Sequence, residues 1–274
     1  MNGSGKTMLV TGATDGIGLA TAVALGAAGA RVIVHGRTLD KARRAQDHVA
    51  RATGARVVAV FGDLASLGEV VALAEQVLAE APALHALVHN AGVFAKERVL
   101  SNDGIELTFA VNHLAPFLLT HRVLPALRAA GRARHIVVSS VAHCRAQPRW
   151  DDIELEKGYS GYAAYAQSKL FNVMFAFAMA RRLSRDGITS NALHPGVITS
   201  KLLREGFGVD GDTPDNGART SVKLALDPAL ERTTGTYFSD ERAARHSPLA
   251  DDVSLQEKLY ALSAQYTKAS PLPA

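Results

Sequence analysis

The sequence predicts one α/β domain over residues 1–274, a doubly wound, mainly parallel seven-stranded sheet with helices on both faces. Three observations carry this. Short apolar runs alternate along the chain with longer amphipathic stretches, the βαβα order that builds a parallel sheet. The first run, Thr7-Met8-Leu9-Val10, passes through the turn Thr11-Gly12-Ala13-Thr14-Asp15-Gly16-Ile17-Gly18 into a helix. No repeat or linker divides the 274 residues, a length that one large core of this kind fills.

Composition narrows the function. Hydrophobic residues make up 47% of the chain, too many for a disordered one. The net charge of +4 is spread without a basic block, which argues against a nucleic-acid partner. Cys144 is the single cysteine, so no intramolecular disulfide can form and a reducing compartment is expected. The polar N-terminus carries neither a signal peptide nor a membrane span. The expectation is a soluble, cytoplasmic protein.

The glycine turn is the first functional signal. Gly12 allows a tight turn, Gly16 lets backbone approach a pyrophosphate, and Gly18 lets the helix pack on the strand. The helix N-terminus offers free N–H groups to phosphate. The helix is expected to bury a stripe of Leu19, Val23, Ala24 and Ala27. Residues 31–35 form the second strand, ending in Gly36-Arg37-Thr38. An acid there would bind a ribose 2′-hydroxyl, but Gly36 stands in its place beside Arg37, whose guanidinium suits a 2′-phosphate. NADP(H) is therefore favoured. If Arg37 only covers the adenine face, NAD(H) is the alternative.

Residues 40–52 read as a helix and 56–61 as the third strand, ending at Gly62-Asp63-Leu64. Asp63 is a candidate for the adenine amino group and equally for capping the next helix, 66–80. Residues 84–89 form the fourth strand. It ends in Asn90-Ala91-Gly92, where small residues let the backbone pass close to a cofactor and the Asn90 amide can cross-link strands. Residues 103–130 read as one long helix, kinked at Pro116 and containing Asn112. Residues 134–138 form the fifth strand, and Ser140 at its end faces the ligand crevice of an open α/β sheet.

Residues 141–159 form an irregular substrate loop. The next helix, reaching about residue 185, carries Tyr165 and Lys169 four positions apart on one face. A neighbouring ammonium lowers a phenol's pKa, so the pair suits acid–base work at a carbonyl or alcohol oxygen. Residues 188–194 form the sixth strand, followed by Pro195-Gly196. Residues 199–213 form a second substrate loop with the character of a lid. Helix 214–226, a short strand at 236–238 and helix 254–266 complete the chain. No His-Glu-x-x-His is present, His143-Cys144 lacks partners at ligand spacing, and Ser140 lies in no Gly-x-Ser-x-Gly, so neither a metal site nor a serine hydrolase is expected.

Together, Thr11-Gly12-x-x-x-Gly16-Ile17-Gly18, Asn90-Ala91-Gly92, Asn112, Ser140, Tyr165-x-x-x-Lys169 and Pro195-Gly196 resemble the short-chain dehydrogenase/reductase family over nearly the whole chain. The stretch Val111-Asn112-His113-Leu114-Ala115-Pro116-Phe117-Leu118-Leu119-Thr120, the long interval from Ser140 to Tyr165 and Gly235-Thr236-Tyr237-Phe238-Ser239-Asp240 are similar to its retinol dehydrogenase-like branch. The resemblance implies a Rossmann-type fold and an NAD(P)(H)-dependent oxidoreductase acting on a carbonyl or alcohol, with a lipophilic substrate. It implies Tyr165 as general acid or base, Ser140 on the substrate oxygen, and Lys169 on the nicotinamide ribose while lowering the tyrosine pKa. Asn112 would hold a relay water. Gly12, Thr14, Asp15, Gly16, Ile17, Gly18, Arg37, Asp63, Leu64, Asn90, Ala91, Gly92, Tyr165, Lys169, Pro195, Gly196, Ile198 and Ser200 would hold the cofactor. Three positions depart from the family pattern: Ser200 for threonine, with Thr199 beside it as a substitute, His89 for asparagine, and Asp15 for a small or basic residue. The helices at 103–130 and 159–185 are candidate packing faces for a homodimer or homotetramer. A silent dinucleotide-binding sensor or scaffold is the alternative, though it would be expected to lack Tyr165 or Lys169. An epimerase or dehydratase on the same fold ranks last, because those resemble longer chains with another glycine spacing.

Overall fold

The computed structural model describes residues 1–199 and 211–273. It contains one eight-stranded sheet of order β3-β2-β1-β4-β5-β6-β7-β8. The strands are β1 Thr7–Val10, β2 Arg31–Gly36, β3 Val57–Phe61, β4 Ala86–His89, β5 Ala133–Val138, β6 Ile188–His194, β7 Tyr237–Ser239 and β8 Arg242–Ala243. All neighbours through β7 are parallel, and β8 is antiparallel to β7. The helices are α1 Gly16–Ala27, α2 Leu39–Thr53, α3 Leu67–Glu80, α4 over residues 107–129, α5 Gly161–Arg182, α6 Pro214–Leu226 and α7 Val253–Thr267. The strand order reverses between β1 and β4, and in an open sheet ligands bind beyond the strand C-termini at such a switch point. The glycine turn after β1 and Asn90-Ala91-Gly92 after β4 both lie there.

Two apolar clusters sandwich the sheet. One joins Leu9, Ile33, Leu87 and Val137 to side chains of α3, α4, α5 and α7. The other joins Met8, Val10, Val34 and Val88 to α1, α2 and α6. Successive strand residues therefore point to opposite clusters, the period-two pattern of a sheet covered on both faces. Phe109, Phe117 and Phe171 are fully buried on the α4–α5 side, where truncation to Ala costs about 3–5 kcal/mol each.

The structure departs from the sequence expectations in several elements. The buried face of α1 is Gly18, Thr21, Ala22, Leu25 and Gly26, while Ala27 is exposed. The helix packs on α2 and α6 as well as the sheet, so small residues set its closest contacts. The helix expected from residue 103 begins at Leu107, because the Glu106 carboxylate caps it, accepting from Thr108 N (2.9 Å) and Phe109 N (2.7 Å). The kink expected at Pro116 is a π-helical turn over Ala110–Leu114, followed by Ala115–Ala129. Pro116 has no N–H to give and its ring would crowd the carbonyl four residues back. An extra strand, β8, follows β7 through Asp240 and Glu241, both at positive φ (49° and 60°), as a two-residue hairpin turn requires. Two-residue strands carry no periodicity to read.

Helix α5 is buried on nearly every side. Ala164 through Ala180 are all buried within this one chain, and α7 packs along it. That stretch has no free surface for a second subunit, contrary to the packing face expected at 159–185. Among the described residues no helix is long and apolar enough to cross a membrane.

His35, His89, His113, His135 and His143 are buried, and burial holds each below the usual histidine pKa, His113 and His135 at about 3. Their native forms stay neutral at a pH where the unfolded chain takes up protons, near ~6.5. The resulting destabilisation is absent above that pH and grows as pH falls through it, by at most about 1.4 kcal/mol per pH unit for each histidine. The urea midpoint at pH 5 should therefore lie well below that at pH 7.5, and equal midpoints would contradict this reading.

Candidate active site

The glycine turn is locked to β4 by polar contacts. Asn90 Nδ2 donates to the carbonyls of Thr11 (2.9 Å) and Gly12 (3.2 Å). Thr11 Oγ1 accepts from the N–H groups of Asn90 (3.0 Å) and Ala91 (3.1 Å). His35 supports the turn from β2, with Nδ1 accepting from Gly12 N (3.1 Å) and Nε2 facing the Gly62 carbonyl (2.9 Å). Gly12 has φ +62° and Gly16 φ +49°. A Cβ on Gly18 would stand 2.2 Å from the Gly12 carbonyl oxygen and 2.4 Å from Asn90 Nδ2. A Cβ on Gly16 would meet nothing within 4 Å, so the space over the start of α1 is open. No side chain caps α1 and no acid lies in its first turn. Asp15 precedes it and is exposed. The result is a backbone cradle with uncommitted positive character, suited to a pyrophosphate.

At the end of β2, a Cβ on Gly36 would lie 2.7 Å from Thr14 Cγ2 and 2.9 Å from Ala42 N. Packing of α2 excludes a carboxylate side chain there, and Arg37 is exposed beside it. After β3, Asp63 Oδ1 accepts from Ala65 N (3.0 Å). Ser66 rather than Asp63 caps α3, and Leu64 is buried.

The candidate reacting groups gather at the C-terminal ends of β4, β5 and β6. Ser139 fastens β5 to α5, its Oγ donating to the Lys169 carbonyl (2.6 Å). Next to it, the Ser140 hydroxyl hydrogen-bonds Tyr165. Tyr165 is 7% exposed, and burial pushes its phenol up to about 12 while the Ser140 bond pulls it back. Burial, rather than the expected Lys169 charge, dominates. Lys169 Nζ lies 5.5 Å from the Tyr165 ring centroid and donates to the Val138 carbonyl (3.1 Å). Burial lowers its pKa to about 8. Gly92 keeps this corner open, since a Cβ there would sit 3.4 Å from both Lys169 Nζ and Asn112 Oδ1.

Asn112 sits in the π turn and is fully buried. Its Oδ1 accepts from Val93 N (2.8 Å), and its Nδ2 donates to Val93 O (3.0 Å) and Ser168 Oγ (3.0 Å). Its side chain therefore splints the segment after Asn90-Ala91-Gly92 to α5, the helix that carries Tyr165 and Lys169. Beyond Pro195, Gly196 has φ +96°. Ile198 is buried and, with Ile17, fills the space a Cβ on Gly217 would need. Thr199 and Asp212 pair across the base of the second loop (2.9 Å). Ser200 and most of the expected lid lie outside the described residues.

Sequence reasoning missed Thr11, His35, Glu106 and Ser139. Thr11 lay inside the glycine motif, and Ser139 stands directly before Ser140. His35 and Glu106 act through contacts distant in sequence and gave no local signal.

Residues 6–207 match the short chain dehydrogenase family model. The chain is 37% identical to retinol dehydrogenase 14 of Mus musculus, covering 94% of this chain and 85% of that protein. It is 38% identical to retinol dehydrogenase 12 of Bos taurus, covering 95% and 86%. Among solved structures it is similar to an uncharacterized protein from Mycobacterium paratuberculosis (TM-score 0.83, 30% identity, 100% of this chain and 97% of that one). A structure from Beutenbergia cavernae with NADP bound at low occupancy is also similar (TM-score 0.73, 28% identity, 88% and 96%).

Proposed function

The chain belongs to the short-chain dehydrogenase family, oxidoreductases of CH–OH and C=O groups, and on that premise we propose that it interconverts a lipophilic alcohol and its carbonyl compound with NADP(H), using Tyr165 as the acid–base group. The observation that carries this reading is the hydrogen bond of Ser140 to Tyr165, set one helical turn from a buried Lys169. The cradle at Gly12, Gly16 and Gly18 fits a dinucleotide pyrophosphate. Arg37 would take the 2′-phosphate, Asp63 and Leu64 the adenine, Asn90 to Gly92 the groove, and Pro195, Gly196 and Ile198 the nicotinamide end. A bound nicotinamide supplies or accepts the hydride.

The protein's own part is to place and protonate. In reduction, Ser140 and Tyr165 donate hydrogen bonds to the carbonyl oxygen as negative charge develops on it, and the Tyr165 proton passes to that oxygen. With its phenol pushed up to about 12, Tyr165 holds that proton at neutral pH. The Lys169 ammonium, held by the Val138 carbonyl, supports the phenolate left behind and offers its remaining N–H donors to a ribose. In oxidation the same groups run in reverse.

The substrate class rests on the names of the relatives and on exposed side chains near the site residues in sequence. Val141, Tyr162 and Val197, each close in sequence to Ser140, Tyr165 or Pro195-Gly196, are 54%, 38% and 53% exposed. Exposed apolar side chains at these positions favour a primary alcohol or aldehyde of the retinol kind over a sugar.

Coenzyme oxidation over apolar aldehydes, retinal included, beside polar sugars should give turnover that Tyr165→Phe lowers by at least about a hundredfold, with NADPH affinity nearly unchanged. Near-normal activity of that variant would remove Tyr165 as the acid. Arg37→Ala should weaken NADPH about tenfold or more and leave NADH alone; equal weakening of both would sink the 2′-phosphate role. Lys169 of the free protein loses its charge as pH rises through about 8, so kcat/KM for reduction should decline above that pH. In Lys169→Arg, which keeps its charge, the decline should vanish from whatever rate remains.

A further inference from the structure

His143 belongs to none of the roles above, yet it is fully buried three residues from Ser140. Its Nε2 lies 3.1 Å from Ser247 N. A backbone N–H can only donate, so Nε2 must be the acceptor and Nδ1 must carry the ring proton. Nδ1 lies 2.6 Å from the Ser140 carbonyl oxygen, and the backbone N–H of His143 donates to the same oxygen at 3.1 Å. The Ser140 carbonyl thus receives two donors from one residue. On its other side, Ser140 Oγ accepts from Ala142 N (3.2 Å). The peptide that carries the hydroxyl is held front and back, and the far end of the brace is Ser247, 104 residues later.

The surroundings keep this brace in one tautomer. The ring packs against Tyr237 (centroids 4.7 Å apart) and the Cys144 sulfur (3.6 Å). His194 and His246 are the other titratable groups near it. None of these is an anion at neutral pH, so among the described residues the Ser140 carbonyl alone favours an imidazolium, and burial outweighs it. Protonation would also break the Ser247 bond.

We propose that His143 is a positioning residue: it fixes the Ser140 hydroxyl at the reacting oxygen by bracing the serine's peptide against the C-terminal segment at Ser247. The inference rests on the oxidoreductase reading above. It implies that the C-terminal segment, far from the cofactor motifs, helps set the geometry of proton transfer.

A double-mutant cycle with Ser140→Ala tests it, because a residue that acts only through Ser140 loses its effect once the hydroxyl is gone. His143→Phe keeps a ring but neither hydrogen bond. It should lower kcat about tenfold in the wild-type background, leave NADPH affinity within about twofold, and cost nothing further in Ser140→Ala. His143→Gln keeps one donor and one acceptor and should recover most of the rate. The backbone at Ser247 has φ −62°, which the proline ring already adopts. Ser247→Pro therefore removes the donor to Nε2 and should reproduce the loss and its disappearance in Ser140→Ala. This variant carries the cycle if His143→Phe fails to fold. An equal loss with and without the Ser140 hydroxyl, or no loss at all, overturns the positioning role while leaving the oxidoreductase reading intact. Absence of Tyr165-dependent turnover in the wild type, by contrast, overturns that reading and this inference with it.

Discussion

The contact of Gly18 with the Gly12 carbonyl and the Asn90 amide is the constraint from which the site follows. A methyl group at residue 18 would overlap both partners. Only glycine lets α1 start directly over the end of β1, and only that placement aims its free N–H groups into the crevice at the switch point. Asn90 then spans β4 to β1 through the Thr11 and Gly12 carbonyls. Asn112 continues the chain of contacts by holding Val93 to Ser168 on α5. The phosphate cradle and the proton-transfer groups are thereby parts of one polar framework, and each link satisfies buried backbone groups that would otherwise cost about 1–3 kcal/mol.

Dryness is the second property of the site, and it acts in opposite directions on its two titratable groups. Removing water disfavours whichever form is charged, so it raises a phenol and lowers an ammonium. Tyr165 moves up and Lys169 down, each toward its neutral form. A proton donor that keeps its proton suits reduction, whereas a cation that is easily neutralised gives less support to the phenolate left behind. A bound phosphate-bearing ligand would favour the ammonium again. The protein alone therefore sets up acid chemistry, and the pair reaches its full electrostatic complement only with a charged partner nearby.

What the sequence disclosed and what it concealed divide along physical lines. Elements built on local pattern were legible: β1, β6 and α6 have the bounds their residues imply. Glycine positions were legible because a positive φ or a close approach leaves few other residues. The buried face of α1 was not, since a helix packed on two sides buries Gly18, Ala22 and Gly26, residues that hydrophobic periodicity undercounts. The start of α4 was hidden because Glu106, an unusual cap, lies inside the expected helical stretch. Most long-range polar partners were hidden, the strand cross-link of Asn90 being the exception that its motif announced. His89 and His135 share Thr120 between β4, α4 and β5 (2.7 and 3.1 Å), a contact for which no spacing in the chain gives notice. Arg37 was legible as a residue type, but the reason that no acid precedes it lies in the packing of Ala42 against Gly36.

The burial of α5 from Ala164 to Ala180 ties the placement of Tyr165 and Lys169 to helix α7. A helix with residues such as Phe171, Phe175 and Phe177 all around it needs cover on every side, and α7 supplies what the sheet and α4 do not. Glu257 of α7 pairs with Arg181 (2.7 Å) and Arg182. The Arg182 guanidinium lies 3.7 Å from the Tyr260 ring, and Tyr260 hydrogen-bonds His121 on α4 (2.6 Å). Tyr266, near the end of α7, donates to Glu154 in the loop between Ser140 and Tyr165 (2.7 Å). Glu154 in turn accepts from Glu106 N at the start of α4 (3.0 Å). Glu154, in the loop expected to face substrate, is thus part of the clasp that closes α7 over α5. Movement of α7 would loosen α5 from behind, and Tyr165 and Lys169 are both on α5. In this fold the last helix is thus a structural condition for the placement of the reacting groups.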